Sequence, residues 1–341
     1  MAVKIGINGF GRIGRMVFRA AAAKPNVEVV AINDLTDARS LANLLKYDSA
    51  QGVYRGDVSS SSDALVVDGV SIPVTAEREV EKLDWTAYGA QVVVEATGTM
   101  RSRKDAAQHL AVGAQSVLIA GVSPDADLVM VVGVNDQQYD PQKHRVVSLD
   151  SCVTNCLAPL CKVLNDKFGV ENVFVTATHE FTHDEAYLDY RSEGSQNDKA
   201  LEMMRNRTTV GNAVGTVVPQ LSGKVADWFL HAPTPQSSLV DMTVLLNQET
   251  SVAEVNAAVL HAAENELRGV VEFCVDPVTT EQVADNTHSA IFDCALTAVQ
   301  GRMVKLYAWY DNEWGYANRV VDMVQRMVTE NSPKVAEVST V

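Results

Sequence analysis

The chain has 341 residues, with 28 basic and 43 acidic side chains and a formal net charge of −15. Apolar residues make up 47% and charged residues 21%, a composition that is typical of folded globular proteins and excludes disordered and collagen-like chains. The acidic balance argues against nucleic acid or an anionic membrane as the main partner, because both would repel the chain.

The first 150 residues alternate between strand-like and helix-like patterns. Val3–Asn8 and Val27–Asn33 are short apolar runs typical of buried strands, and residues 12–24 between them carry apolar side chains at helical spacing. Similar strand-like runs follow at residues 91–97, 116–122, 128–134 and 145–149, with a helix-like stretch at 104–112. Continuous runs of Val, Ile and Leu predict a parallel sheet that is covered on both faces.

Beyond residue 150 the strand-like segments become longer, and their connections become polar and glycine-rich. The predicted strands are 173–178, Ser238–Leu246 and 303–309, and the predicted helices begin near Cys152 and cover 252–268 and 318–329. The length predicts two domains, and we place their boundary near residue 150, where the sheet type changes.

A glycine-rich turn, Gly9-Phe10-Gly11-Arg12-Ile13-Gly14, follows the first predicted strand and opens the first predicted helix. In this context Gly9 permits the tight turn, Gly11 lets a pyrophosphate approach the backbone, and Gly14 lets the helix pack on the strand. Asp34 ends the next strand and would accept hydrogen bonds from ribose hydroxyls while repelling a 2′-phosphate, which favours NAD over NADP. The alternative is a structural strand–turn–helix with an exposed aspartate.

Cys152 and His179 form the second candidate site. Cys152 lies where a predicted strand passes into a helix, and the partial positive charge of a helix N-terminus is expected to lower the pKa of its thiol. His179 ends a strand-like run and is the best candidate for a base that activates this cysteine. The alternative is that Cys152 is a buried cysteine without a chemical role.

The other cysteines are interpreted as packing residues, because no second Cys or His pair completes a zinc pattern, and we expect no metal site. No apolar run reaches the roughly 18 residues that cross a bilayer, and no basic segment leads into an apolar one as in a secretory signal. The total of five cysteines is odd, which argues against a disulfide framework. We therefore expect a cytoplasmic protein with no membrane partner.

Six motifs together resemble the glyceraldehyde-3-phosphate dehydrogenase family, which includes erythrose-4-phosphate dehydrogenase. They are INGFGRIGR at 7–15, AIND at 31–34, LLKYDS at 44–49, EATG at 95–98, SCVTNC at 151–156 and WYDNEWGY at 309–316. The resemblance implies an α/β chain with a doubly wound Rossmann NAD-binding domain over 1–151, completed by a C-terminal helix at about 316–335. It also implies an α+β catalytic domain with a mostly antiparallel sheet over 152–315, and a homotetramer.

The resemblance further implies roles for single residues. Cys152 would be the nucleophile, His179 its base, and Asn312 the residue that holds the nicotinamide carboxamide. The cofactor positions that it implies are Gly9, Gly11, Arg12, Ile13, Gly14, Asp34, Thr97, Gly98, Asn312 and Tyr316. The implied reaction is the NAD-dependent oxidation of a small aldehyde through a thiohemiacetal and a thioester on Cys152, which inorganic phosphate releases as an acyl phosphate.

Three departures from the family bear on the substrate. Val153 replaces a threonine whose hydroxyl helps to bind phosphate, His231 replaces the arginine that grips the substrate phosphate, and segment 192–207 lacks the usual loop motif and predicts a helix at 198–205. Hydrogen bonds to a charged group are worth roughly 1.5–3 kcal/mol each, so these losses would weaken phosphate binding by roughly two powers of ten. Several side chains could compensate: Ser151, Thr182, Thr208, Thr209, the basic residues Arg191, Arg205 and Arg207, and His231 when it is protonated.

Three functions therefore stay open. The first is an NAD-dependent phosphorylating aldehyde dehydrogenase that uses glyceraldehyde 3-phosphate. The second is a sibling enzyme that acts on erythrose 4-phosphate or on an aldehyde without a phosphate. The third is an NAD-binding protein with weakened catalysis, which the presence of Cys152, His179 and Asn312 argues against. For the two enzyme functions, phosphate and water both stay open as the acyl acceptor. Asp150 places a negative charge beside the predicted thiolate, which should work against a lowered pKa.

Overall fold

A computed structural model describes residues 2–48, 51–180, 209–232 and 237–331 of the chain. The chain divides into two compact units. The first contains the residues up to Leu128, Gln138–Leu149 and the segment from Val320 onward, and the second contains Val129–Gln137 and Asp150–Arg319.

A sheet of nine described strands forms the centre of the first unit. The strands up to residue 149 are β1 (Val3–Asn8), β2 (Val27–Asn33), β3 (Tyr47–Asp48), β4 (Gly52–Val53), β5 (Val58–Ser60), β6 (Ala64–Val67), β7 (Val70–Thr75), β8 (Val92–Glu95), β9 (Ser116–Ile119), β10 (Leu128–Val129) and β11 (Val146–Ser148). The helices are α1 (Arg12–Ala22), α2 (Ala38–Lys46), α3 (Trp85–Tyr88), α4 (Arg103–Ala106) and α5 (Gln108–Ala111), with 3₁₀ turns at Val80–Lys82 and Asp136–Gln138. The sheet order is β10-β11-β9-β8-β1-β2-β7-β6-β5, while β3 pairs with β4.

The six strands from β11 to β7 run parallel, as the continuous apolar runs predict. Ile5, Ile7 and Ile32 have no exposed surface, so β1 and β2 are held by burial of their side chains. The strand order reverses between β1 and β8, and ligands of doubly wound sheets bind outside the carboxyl ends of the strands at such a point. The predicted Rossmann arrangement is confirmed, and its glycine-rich turn follows β1 directly.

Two predicted elements differ from the structure. The strand expected at 128–134 stops at Val129, because the side chain of Asn135 bonds the backbone that a neighbouring strand would use. Its Oδ1 accepts from the N–H of Val131 at 2.9 Å, and its Nδ2 donates to the carbonyl of Val129 at 3.0 Å. The helix expected at 104–112 is divided into α4 and α5 on either side of Ala107.

A mixed sheet forms the centre of the second unit. Its strands are β12 (Val170–Glu180), β13 (Val225–Ala232), β14 (Ser238–Leu246), β15 (Val271–Cys274), β16 (Ala290–Asp293), β17 (Ala298–Gln300) and β18 (Met303–Tyr310). The helices are α6 (Cys152–Phe168), α7 (Val210–Val217), α8 (Val252–Glu264), α9 (Thr280–Val283) and α10 (Trp314–Asn331), with 3₁₀ turns at Pro219–Leu221 and Cys294–Leu296. The residues of α10 from Val320 onward belong to the first unit. The order is β13-β12-β14-β18-β16-β15, with β17 beside β18.

Among these described strands antiparallel ladders outnumber parallel ones, so the expected mostly antiparallel sheet is confirmed. Helix α6 packs on this sheet, and Leu157, Leu160 and Leu164 have no exposed surface. Each buried leucine contributes roughly 1.5–3 kcal/mol, so the helix is held firmly in place. The hydroxyl of Ser151 caps it by accepting from the N–H of Thr154 at 3.1 Å, which makes Cys152 its first residue.

Candidate active site

The glycine-rich turn of the first unit leaves room only for glycine at two of its positions. Gly9 has φ +91°, and a Cβ there would lie 2.6 Å from the backbone nitrogen of Thr97. A Cβ on Gly14 would lie 2.1 Å from the carbonyl oxygen of Gly9. At Gly11, by contrast, no described atom lies within 4 Å of the Cβ position. The turn is therefore tightly packed behind and open at Gly11, where a pyrophosphate is expected to approach.

The start of α1 is suited to an anion. The helix begins with Arg12 and Ile13, which are partly exposed. No side chain among the described residues caps it, and its first turn contains no acidic residue. Its partial positive charge is therefore left for a ligand.

Asp34 connects the end of β2 to the glycine-rich turn. Its Oδ2 accepts from the N–H of Phe10 at 2.7 Å, and its Oδ1 accepts from the N–H of Thr36 at 2.9 Å. Each carboxylate oxygen has a second lone pair, so ribose hydroxyls can still donate to it. The sequence predicted the ribose contact but not this support of the turn.

A cleft of about 380 Å³ opens beside these residues. It is lined by Asn8, Gly9, Gly11, Asn33, Asp34, Leu35, Glu77, Arg78, Val80, Ala96, Thr97, Thr99 and Met100. Gly98, the other predicted cofactor residue of this unit, follows Thr97 with φ +73°. The close glycine packing, the uncapped helix and the carboxylate of Asp34 fit an adenine dinucleotide that carries a free ribose 2′-hydroxyl.

In the second unit, Cys152 and His179 lie together. Cys152 Sγ is 3.8 Å from Nε2 of His179, although 27 positions separate them in the chain. The imidazole ring packs beside Phe229 at 5.6 Å and Tyr310 at 6.4 Å between ring centroids. These aromatic rings on β13 and β18 hold the imidazole on the face of β12 that is turned towards Cys152 of α6.

The protonation of Cys152 differs from the sequence-based expectation. Burial raises the pKa of its thiol to about 12, the N–H groups of Val153 and Cys152 lower it, and the nearby Glu313 and Asp311 carboxylates raise it. The expectation of a lowered pKa is therefore wrong, because the loss of solvation outweighs the effect of the helix N-terminus. A thiolate at neutral pH requires a proton acceptor, and the imidazole of His179 lies within reach of the sulfur.

The turn before Cys152 is fixed by Asp150, whose φ of +55° is unusual for a residue with a side chain. Its Oδ1 accepts from the N–H of Ser151 at 2.8 Å and from the hydroxyl of Thr154 at 2.6 Å. Ser151, predicted to bind phosphate, has its hydroxyl 2.9 Å from that of Thr154. The carboxylate therefore has a structural role that the sequence did not indicate.

Asn312 and Tyr316, the cofactor residues predicted for this unit, are both buried. Asn312 lies in the short turn between β18 and α10, where Asp311 Oδ1 accepts from the N–H groups of Glu313 and Trp314 at 2.9 and 2.8 Å. The hydroxyl of Tyr316 donates to the carbonyl of Asp150 at 2.9 Å. Tyr316 thus supports the backbone just before Cys152.

Two protein-family models match this chain. The model of the glyceraldehyde 3-phosphate dehydrogenase NAD binding domain matches residues 3–103, and the model of the C-terminal domain of the same family matches residues 151–312. Glyceraldehyde-3-phosphate dehydrogenase 1 of Bacillus subtilis (strain 168) is 47% identical over 326 residues, which cover 95% of this chain and 97% of that protein. The enzymes of Geobacillus stearothermophilus and Streptomyces coelicolor are 46% and 41% identical, over 95% of this chain and 97% and 98% of those proteins. The chain belongs to the glyceraldehyde-3-phosphate dehydrogenase family.

Membership in this family confirms the predicted NAD cofactor and the oxidoreductase class. None of the helices in the described ranges is long and apolar enough to span a membrane. The same ranges contain no cluster of His, Cys, Asp and Glu that could hold a metal ion.

The structure describes only some of the residues that bear on phosphate binding. Val153 is 3% exposed and packs in the apolar core, where a hydroxyl would have needed a partner. The backbone of His231 pairs in register with that of His179 near the end of β13, and Thr209 is exposed just before α7. Thr182, Thr208 and the predicted helix at 198–205 lie outside the described residues.

Sequence reasoning missed Phe229 and Tyr310, which pack on His179, and Glu313 and Asp311, which raise the pKa of the thiol. Buried side chains alternate with more exposed ones along β18, and this alternation places Tyr310 on the buried face. Its contact with the imidazole, however, depends on the register of β12, β14 and β18, which a single sequence does not reveal.

Gly14→Ala and Gly11→Ala are expected to separate folding from cofactor binding. The methyl group of Gly14→Ala meets a backbone oxygen, so this variant should lose about 1–3 kcal/mol of unfolding free energy. Gly11→Ala enters open space and should keep its unfolding temperature while its affinity for NAD falls. Thermal unfolding and NAD titration check both, and equal destabilisation by the two substitutions would contradict the packing described here.

His179→Asn is expected to remove the reactivity of Cys152 at neutral pH. Without the imidazole, the thiolate fraction rises about tenfold per pH unit towards the thiol pKa of about 12, so alkylation should become fast only in alkaline solution. The rate of iodoacetamide modification, followed residue by residue by mass spectrometry, measures this. Partly exposed Cys274 is the internal control, and wild-type reactivity of Cys152 in the variant would contradict the role of His179.

Proposed function

We propose that this chain is an NAD-dependent phosphorylating glyceraldehyde-3-phosphate dehydrogenase. The observation that carries the proposal is the 3.8 Å contact between Cys152 Sγ and His179 Nε2. The glycine-rich turn of the first unit also supports the proposal. The space beside Gly11 is open and the start of α1 has no side-chain cap, and both features suit a dinucleotide. The names of the relatives support the substrate.

In the first half-reaction Cys152 is the nucleophile. Its proton passes to Nε2 of His179 as the sulfur attacks the aldehyde carbon, and the resulting oxyanion takes that proton to give a thiohemiacetal. His179 then removes the hydroxyl proton while the C–H bond breaks with its electron pair, which leaves a thioester on Cys152. NAD, when bound, accepts that hydride.

In the second half-reaction an oxygen of inorganic phosphate attacks the thioester carbon and the C–S bond breaks. The product is an acyl phosphate, and the proton held by His179 returns to the sulfur. The backbone N–H of Cys152 and the ring of His179 stabilise the oxyanion that forms in each step.

The remaining predicted residues bind rather than react. We assign the adenosine ribose to Asp34, the pyrophosphate to Arg12 and Ile13, and the nicotinamide carboxamide to Asn312. Gly9, Gly11, Gly14, Thr97, Gly98 and Tyr316 shape the cofactor site, and Ser151, Thr182, Thr208, Thr209 and His231 are the candidate phosphate residues.

A second candidate substrate is erythrose 4-phosphate or an aldehyde without a phosphate. The packing of Val153 in the apolar core favours the aldehyde without a phosphate, because this side chain offers no donor to an anion. His231 favours it as well, since an imidazole is mostly uncharged at neutral pH where an arginine would be charged.

A panel of aldehydes, each with NAD and with or without phosphate, tests these assignments through NADH absorbance. We expect turnover of glyceraldehyde 3-phosphate that depends on phosphate, whereas turnover only of other aldehydes would select the second candidate. Cys152→Ala should remove even the single-turnover burst of NADH, and Cys274→Ala should keep it. A surviving burst in Cys152→Ala would show that the nucleophile is another residue.

The exposed face of the second sheet supports the proposed homotetramer. Phe174 on β12 is 55% exposed and stacks on Trp228 of β13 with ring centroids 5.9 Å apart. Met303 on β18 is exposed as well, while Lys305 pairs with Asp241 beside it. Large exposed apolar side chains that lie together on one face of a sheet are typical of surfaces that a second subunit covers.

Phe174→Glu is expected to dissociate the assembly, because it places a charge in the apolar face without touching Cys152 or His179. Light scattering coupled to gel filtration measures the mass, with Val275→Glu as the control at another exposed apolar residue, 70% exposed. A wild-type mass that corresponds to one chain would contradict the proposed tetramer.

We place the protein in the cytoplasm. Its five cysteines are all free, and the proposed mechanism requires a reduced thiol at Cys152.

A further inference from the structure

A network of buried polar side chains adjoins the dinucleotide cleft. Its centre is Glu95, the last residue of β8, which is 2% exposed, and His109 of α5, which has no exposed surface. A buried carboxylate is stable only when hydrogen bonds replace the water that it has lost. The roles proposed above involve neither side chain.

Glu95 is hydrogen-bonded through both of its carboxylate oxygens. Oε1 accepts from the N–H of Thr97 at 2.8 Å and from the hydroxyl of the same residue. Oε2 accepts from the side-chain amide of Asn8 at 2.5 Å and lies 3.1 Å from Nε2 of His109. Asn8 and Thr97 both line the cleft, so one carboxylate orients two residues of its wall.

Trp85 determines which nitrogen of His109 carries the proton. An indole N–H can only donate, and Nε1 of Trp85 lies 3.0 Å from Nδ1 of His109. Nδ1 is therefore the acceptor, and the ring proton is on Nε2, directed at Glu95. Gly6 makes this arrangement possible, since a Cβ there would lie 2.7 Å from the Trp85 ring.

The same order of donors and acceptors continues into the cleft. Because Thr97 gives its hydroxyl proton to Glu95, its oxygen presents lone pairs and accepts from the N–H of Thr99 at 3.2 Å. Because the Asn8 amide also donates to Glu95, its Oδ1 is the group that accepts from Asn33 at 2.7 Å. Asn33 directly precedes Asp34, so the network reaches both sides of the glycine-rich turn.

We propose that Glu95 and His109 are positioning residues for the dinucleotide: they hold Asn8 and Thr97 in the orientation that binds it, and Trp85 fixes the tautomer. This inference rests on the proposed binding of NAD in the cleft. Neither Glu95 nor His109 lines the cleft, so they act through Asn8 and Thr97. Disturbing the pair weakens NAD binding and leaves the chemistry at Cys152 unchanged.

Three variants test the proposal. His109→Phe removes the ring donor and acceptor, His109→Gln restores one of each, and Val93→Ala opens a cavity in the apolar cluster beside Trp85 without removing any hydrogen-bonding group of the network. NAD dissociation constants are measured by calorimetry, together with melting temperature and kcat at saturating NAD. His109→Phe should raise the dissociation constant about tenfold, the effect of a lost hydrogen bond to a charged group.

The other readouts separate positioning from general stability. We expect kcat of His109→Phe at saturating NAD to stay within about threefold of wild type, because the lost contact weakens NAD binding equally in the ground state and the transition state. The NAD dissociation constant of His109→Gln should also stay within about threefold of wild type. Val93→Ala should lower the melting temperature and leave NAD binding unchanged. The proposal fails if NAD binding follows the melting temperature across all variants, or if His109→Gln is no better than His109→Phe.

A fourth variant covers a failure of His109→Phe to fold. Trp85→Phe keeps an aromatic ring but removes the N–H that fixes the tautomer, and it should raise the dissociation constant about threefold or more. Unchanged NAD binding in this variant would overturn the proposal. Wild-type protein that binds no NAD would overturn the proposed function as well, whereas wild-type binding that no variant weakens would overturn only the positioning role.

Discussion

The contact between the sulfur of Cys152 and the imidazole of His179 is the interaction on which the proposed chemistry depends. Burial disfavours the thiolate, and the carboxylates of Glu313 and Asp311 disfavour it further. The N–H groups at the start of α6 oppose these effects without overcoming them. In the proposed mechanism the imidazole therefore acts with the nucleophile as well as being a base in later steps, because the sulfur would acquire its charge by giving a proton to this ring.

Much of the surrounding scaffold has the purpose of keeping these two atoms together. Helix α6 is anchored by a row of fully buried leucines, and β12 is paired on both sides by β13 and β14. Phe229 and Tyr310 then restrict the imidazole itself. The first unit uses a similar principle, since the shape of its turn depends on glycines that pack against backbone atoms rather than on flexible side chains.

The parts of the molecule that could be predicted from sequence are those governed by local pattern. Continuous apolar runs predict the parallel sheet, and the glycine spacing predicts a turn whose Gly14 has no room for a methyl group. The pKa of Cys152 could not be predicted in this way, because desolvation depends on everything packed around the sulfur. The end of the strand at Val129 was missed for a related reason: one side chain, that of Asn135, replaced the bonds of a neighbouring strand.

Val153 illustrates how a comparison of residue types needs the structure beside it. Seen as a substitution, it is a lost phosphate donor. In the structure its side chain belongs to the apolar core that anchors α6. The same residue thus strengthens the support of Cys152 while it offers no polar group.

The left-handed conformation of Asp150 constrains how this part of the chain can evolve. Glycine would adopt φ +55° without strain but would leave the hydroxyl of Thr154 without its acceptor, and alanine would give up both advantages. Asparagine comes nearest, since it tolerates the backbone angle and keeps an oxygen, although it gives up the charge. One position therefore sets both the direction of the backbone before Cys152 and the acceptor for the hydroxyl of Thr154, and among these replacements only asparagine keeps the two together.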